Sequence, residues 1–238
     1  MADLETPLTR RRALQLAGGL GLAAVIPACT SDGDSSSGAT GTTAAASGDT
    51  AAVAAPDCVL MPELTEGPYH LDLDLVRSDI TEGRPGLPLD LSVSVVDAYV
   101  CKPIEGAAVD LWHCDAGGAY SGVQGAEGET FCRGVQMTDA DGVAEFRTVF
   151  PGWYTGRAVH IHVKVSADGE QTHTGQLFFD PGVTTAVYAT EPYAERGEQD
   201  VPNTSDSIYA ESGGVTVVAV TMDGESSSGA VTLGVERA

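Results

Sequence analysis

From residue 89 onward, apolar and polar side chains alternate in short runs separated by turn-forming residues. Leu89-Asp90-Leu91-Ser92-Val93-Ser94-Val95-Val96 makes nearly every second side chain apolar, the mark of a strand with one buried face. The same reading predicts strands over 107–113, 135–138, 143–149, 159–165, 175–179, 215–221 and 230–235. Pro103 and Gly106 in the first link predict a hairpin between the first two strands, and Asp139-Ala140-Asp141-Gly142 predicts a second hairpin between the next two. Helical periodicity is sparse, with room for a turn or two over 184–196. About eight short strands without a repeat of fixed period predict an all-β fold, a β-sandwich with long active-site loops.

Before residue 57 the pattern is different. Arg10-Arg11-Arg12 precedes an uncharged stretch over 13–26, which falls short of the ~20 residues a spanning helix needs but suits an export signal. Consecutive arginines ahead of a mild apolar run suggest the twin-arginine route. Ile26-Pro27-Ala28-Cys29 resembles a lipoprotein cleavage box with Cys29 as the lipidated residue; the other reading is ordinary cleavage that leaves Cys29 a thiol. Residues 29–56 are almost all Ser, Thr, Ala, Gly and Asp and carry too little apolar surface to order themselves. The expected organisation is a twin-arginine-type signal over 1–28, a linker over 29–56 and one domain over 57–238. The expected location is extracytoplasmic, either lipid-anchored on the outer face of the cell membrane or secreted.

Charge narrows the function. Acids outnumber bases 34 to 12, for a net charge of -22. Such a field repels phosphate backbones, which argues against a nucleic-acid partner. Lys102 and Lys164 are the only lysines, so no lysine-rich binding face exists. Beyond residue 57 stand Cys58, Cys101, Cys114 and Cys132; an even number in an exported chain predicts two disulfides with three connectivities open. The strand layout puts Cys101 in the first hairpin turn and Cys114 and Cys132 at one end of the sandwich, which favours Cys58–Cys101 with Cys114–Cys132.

The densest chemistry lies in Val159-His160-Ile161-His162-Val163-Lys164-Val165. With a period of two, the valines and Ile161 face a core while His160 and His162 share the other face, close enough to converge on one metal ion. Imidazole suits zinc, copper and iron alike. Two tyrosines sit beside turn residues, in Thr65-Glu66-Gly67-Pro68-Tyr69-His70 and in Pro151-Gly152-Trp153-Tyr154.

Taken together with Asp110-Leu111-Trp112-His113-Cys114-Asp115-Ala116, Phe131-Cys132-Arg133-Gly134, Arg157-Ala158-Val159-His160-Ile161-His162 and Thr174-Gly175-Gln176-Leu177-Phe178-Phe179, these segments resemble the intradiol ring-cleavage dioxygenases in order and spacing, in an exported single-domain form. The resemblance implies non-haem Fe(III) held by Tyr69, Tyr154, His160 and His162, with a water or hydroxide completing the set. Fe(III) is hard and favours anionic oxygen; a phenol whose free pKa is about 10 ionises at neutral pH once it is bound to such a charge. The implied reaction cleaves a catechol between its two hydroxyls with O2 to give a muconate-type diacid. Tyr154 would leave the metal and take a substrate proton, Arg157 would stabilise developing negative charge, and Gln176 would orient the histidines. The five residues between Tyr154 and His160 form a shorter loop than in the soluble catabolic enzymes, which suggests a more open site. His70 stands where that family often has an aromatic residue and would alter the polarity of the pocket or add a proton donor. His113 reads as structural beside a disulfide-bonded Cys114, and His173 as an exposed turn residue. Two other readings stay open: a non-catalytic exported Ig-like binding module, and a different metalloenzyme built on His160 and His162.

Overall fold

The computed structural model describes residues 58–123, 125–167 and 169–237. The expected signal, Cys29 and the linker lie outside the described residues. Among the described residues eight strands form: β1 (Pro88–Asp97), β2 (Ala108–Trp112), β3 (Arg133–Met137), β4 (Val143–Val149), β5 (His160–Ala167), β6 (Glu170–Phe179), β7 (Val217–Asp223) and β8 (Ser226–Val235). Their order across the sheet is β3-β2-β5-β6-β7-β8-β1-β4. β6 and β7 share only the pairs Phe178–Val217 and Phe179–Val218, so the sheet divides there into two four-stranded halves. Val93, Val95 and Leu233 from one half meet Val109, Leu111, Ile161, Val163 and Leu177 from the other in a common core. Each such side chain, fully buried, contributes roughly 1.5–3 kcal/mol. The all-β sandwich expected from the alternation is therefore the fold.

Both expected hairpins fail as ladders. β1 pairs with β4 and β8, and β2 pairs with β3 and β5. The Asp139–Gly142 turn does close, with Gly142 N donating to Asp139 O at 2.9 Å, yet it hands the chain from one half of the sandwich to the other. Turn chemistry reverses the chain without deciding which strands share a ladder. The two edges are covered by a single segment: Arg77 N donates to Val135 O on β3 at 3.1 Å, and Ile80 N donates to Arg147 O on β4 at 2.9 Å. Edge groups that would otherwise template aggregation are satisfied in this way.

Cys58–Cys101 forms, as expected. Cys114–Cys132 does not; both thiols are free and buried. Continuing the β2–β3 register, His113 N donates to Cys132 O at 3.1 Å, so Cys132 stands opposite residue 113 rather than 114. One residue of offset turns the two side chains to opposite faces, where Cys114 joins Trp112 and Tyr120 while Cys132 joins Phe131 and Val149. His113 is structural: Nδ1 meets Cys114 O and Nε2 meets Thr148 Oγ1, each at 2.8 Å. His173 is not an exposed turn residue; it lies buried on β6 with Nε2 against Met61 O.

Among the described residues, helix is limited to α1 (Pro181–Tyr188), α2 (Ser207–Ser212) and single 3₁₀ turns at Tyr193–Glu195 and Asn203–Ser205. The first of these falls where the sequence left room. α2 is an addition, capped by Asp206, whose Oδ1 accepts from Ile208 N at 2.8 Å and Tyr209 N at 3.0 Å.

Candidate metal centre

The site lies on the outer face of the β2-β5-β6 half, opposite the core. Alternation on β5 sends Ile161, Val163 and Val165 inward and leaves His160 and His162 outward. Cross-strand register sets Trp112 beside His162 and Gln176 beside His162 on the other flank. The Trp112 ring stacks on the His162 ring with centroids 4.9 Å apart and planes 7° from parallel. Tyr69, Tyr120 and Tyr154, all carried on loops, pack with Trp112 over this face, and both histidines are almost fully buried.

His160 Nδ1 donates to Ala158 O at 2.7 Å, which leaves Nε2 bare. That nitrogen is 3.1 Å from His162 Nε2 and 3.2 Å from the Tyr154 hydroxyl. Bare lone pairs this close in a dry site repel unless a proton or a cation lies between them. Two donors each about 2.1 Å from one ion and at right angles to each other stand about 3 Å apart, so these spacings fit a single metal ion. His162 Nδ1 is buried without a partner. Among the described residues, no three His, Cys, Asp or Glu side chains group at metal-holding distance, so a cation here depends on phenol oxygen.

Tyr154 arrives on the loop after β4. Gly152 lets that loop press on the neighbouring backbone, since a Cβ there would lie 2.4 Å from Ala116 O. Tyr69 arrives from the N-terminal side, where Gly67 adopts φ +72° and a Cβ would stand 3.2 Å from His162 Cε1. Only glycine combines that backbone with that approach. The Tyr69 ring is 6.2 Å from the Tyr154 ring, edge to face. The structure thus gathers Tyr69, Tyr154, His160 and His162 on one patch.

Electrostatics prepare the ligands. Burial, reinforced by the Arg157 cation, pulls His160 down to about 3. Burial also carries His162 well below the imidazole range, with His160 and Arg157 adding to it. Both rings are therefore neutral, the form that binds metal. Burial raises the Tyr154 phenol, partly offset by Arg157, so its ionisation in this site calls for a cation.

Arg157 Nη1 reaches His160 Nε2 at 3.5 Å, while its Nε donates to Asp206 Oδ2 at 2.8 Å and its Nη2 to Gln176 Oε1 at 2.6 Å. Gln176 passes the contact on through Nε2 to Thr65 O at 3.0 Å. Its partners are thus Arg157 and the Tyr69 segment rather than the histidine rings. His70 binds Asp110 at 3.0 Å and packs its edge on Trp112.

Two neighbours escaped the sequence reading. Tyr120 is buried, its ring 4.6 Å from Tyr69 and 5.6 Å from Tyr154. A lone aromatic residue within Ala116-Gly117-Gly118-Ala119-Tyr120-Ser121-Gly122 was its only signal. Asp206 precedes Ser207 as a helix cap would, but the helix is too short to show a period.

A family model described as "Dioxygenase" matches residues 61–191, more than half of the chain. An intradiol ring-cleavage dioxygenase structure from Tetranychus urticae is 34% identical, covering 75% of this chain and 95% of its own, with a TM-score of 0.72. The dioxygenase domain of a dioxygenase carbohydrate-binding protein fusion from Streptomyces sp. SirexAA-E is 33% identical over 76% of this chain and 100% of its own, with a TM-score of 0.60. A chlorocatechol 1,2-dioxygenase from Cupriavidus pinatubonensis is 29% identical over 140 residues, 49% of this chain and 54% of that protein. The chain spans about half the length of the curated relatives it matches.

Proposed function

The chain belongs to the intradiol ring-cleavage dioxygenase family, and from that premise we propose that it opens catecholic rings between their two hydroxyls with O2, using non-haem Fe(III). The observation that carries this reading is the approach of His162 Nε2 and the Tyr154 hydroxyl to His160 Nε2, at 3.1 Å and 3.2 Å, inside the matched segment. Tyr69, Tyr154, His160 and His162 hold the iron. Bound there, ferric iron supplies a Lewis acid that draws electron density from a catechol and exposes its ring to O2.

The chain's own groups do the rest. Tyr154, on its loop rather than on a strand, accepts a substrate hydroxyl proton at its phenolate oxygen. The Arg157 guanidinium, held by Asp206 and Gln176, faces the negative charge that develops on the substrate. Trp112, Tyr120 and Phe178 wall the site and keep water from the reacting atoms. The surrounding cations are already engaged: Arg133 on Ser121, Lys164 on Glu66, Arg157 on Asp206. That favours uncharged catechols over those bearing a carboxylate. We propose that the reaction runs outside the cytoplasm, on a protein either lipid-anchored at Cys29 or secreted.

Loading the purified protein with Fe(III) tests this directly. A burgundy tyrosinate-to-iron band and muconate absorbance from catechol plus O2 are expected, with part of the colour lost in Tyr154→Phe. A colourless iron complex, or one that leaves catechol intact, sinks the reading.

A further inference from the structure

Beyond residue 191, where the family match ends, the Asp206 carboxylate reaches back to Arg157 and Ala158. Asp206 is 1% exposed at its side chain and uses both oxygens. Oδ1 caps α2 through Ile208 N and Tyr209 N. Oδ2 accepts from Arg157 Nε and from Ala158 N, each at 2.8 Å. Ala158 O in turn accepts the His160 Nδ1 proton at 2.7 Å. One buried oxygen therefore holds both the guanidinium that faces the substrate and the amide of Ala158, the residue whose carbonyl sets the angle of a metal-binding ring. α2 adds a second tie, since the Tyr209 ring packs edge-on against Phe178 at 5.1 Å and Phe178 lies 6.2 Å from the His160 ring.

We infer that Asp206 is a positioning residue of this centre, tying the segment after the family-matched region to Arg157 and His160. The inference rests on the reading of the site as an iron centre for catechols. Gln176, the other partner of Arg157, is neutral and anchored elsewhere, so Asp206 supplies the only countercharge bonded to that guanidinium among the described residues. A charge-assisted bond to a buried carboxylate holds such a side chain in one orientation. Without it Arg157 gains freedom at the point where its placement governs the rate.

Asp206→Asn and Asp206→Ser separate this role from simple scaffolding. Both residues cap helices about as well as Asp. The Asn amide has one acceptor oxygen for two donor pairs, and the Ser hydroxyl is too short to reach Arg157. In the iron-loaded proteins, each variant is expected to lower kcat about 10- to 100-fold and to move KM by less than about 3-fold. In an Arg157→Ala background the same change is expected to add less than about 2-fold, because the tether then has nothing to hold. A full additive loss, or a kcat within about 2-fold of wild type in Asp206→Asn, overturns the proposal. So does loss of the fold in both variants, since the cap survives in each. A second readout needs neither iron nor turnover. In the metal-free protein the Arg157 Nε–H resonance, identified by its absence from Arg157→Ala, should exchange slowly with water and lose that protection in both variants. Unchanged protection overturns the proposal. Should the wild type leave catechol intact, the catalytic reading falls while this resonance still judges Asp206.

Discussion

The two histidines and the two tyrosines of the centre are secured by different means. His160 and His162 stand on β5, which is laddered to β2 on one side and β6 on the other. Their backbone positions come from the sheet itself, and only ring orientation needs a further bond, from Ala158 O in the case of His160. Tyr69 and Tyr154 ride on loops, where no ladder exists and dedicated anchors must replace it. The Tyr154 loop is held from behind by three side chains bound to consecutive stretches of its backbone: Tyr193 to Phe150 O at 2.6 Å, Tyr188 to Pro151 O at 3.2 Å and Arg196 to Trp153 O at 2.6 Å. The Tyr69 segment depends on lighter ties, the Gln176 bond to Thr65 O and the Lys164–Glu66 and His70–Asp110 pairs. A donor on a central strand is rigid by default; a donor on a loop is as rigid as its anchors.

Removing a strand donor tests the rigid side and carries the largest expected effect. His162→Ala should lose bound iron and the visible band together, and turnover should fall at least ~1,000-fold, since a Lewis-acid centre contributes several kcal/mol to such chemistry. The sandwich should survive, because His162 lies outside the main core. Metal analysis, the visible spectrum and a circular dichroism melt read the three expectations. Full iron content with intact colour would remove His162 from the centre.

The same contrast explains what the sequence made legible. The strands announced themselves because burial follows a period of two, as β4 shows from Val143 to Thr148, and the histidine pair was legible for the same reason. Strand partners were not, because pairing across the two halves of a sandwich is a long-range property that no turn encodes. The Cys114–Cys132 expectation inherited that error through a register one residue off. Asp206 is 49 residues from Arg157 in the chain, and Tyr120 lies in a glycine-rich loop, so neither belongs to a periodic element that could point to its target. His173 misled because its neighbours are polar, although the strand containing it turns its ring beneath Met61.

Loosening the anchored loop should have a smaller effect than removing a ligand. Tyr193→Phe keeps the ring, which is 2% exposed, but strips the hydroxyl that donates to Phe150 O and accepts from Leu87 N at 3.0 Å. The buried Phe150 carbonyl and the partly buried Leu87 amide then lose this partner, at a cost of about 1–3 kcal/mol. For a domain of this size that lowers Tm by roughly 3–10 °C. If the anchor governs Tyr154, the charge-transfer band should also shift or broaden. A lower Tm with an unchanged band would make the anchor a matter of stability alone and weaken the contrast between strand and loop.

The smallest effect is expected where the ties are lightest. Lys164→Met keeps an apolar stem against Trp112 and removes the ammonium that pairs with Glu66, whose side chain is 43% exposed. Lys164 is largely covered but the Glu66 end stays open to solvent, so the pair contributes about 1 kcal/mol or less and the denaturation midpoint at pH 7 should move little, and less still in about 0.5 M salt. The hydrogen bond from Lys164, with its charge, holds the Glu66 carboxyl below its ordinary value of 4.5. A depressed carboxyl stabilises the fold above its unfolded pKa and loses that contribution as pH falls through the folded one, so the gap between wild type and variant should close in acid. Urea titrations at pH 7 and below pH 4 measure both expectations. A loss as large as that of Tyr193→Phe, persisting in acid, would mean that the Tyr69 segment is anchored as firmly as the Tyr154 loop, and that the two tyrosines are held alike after all.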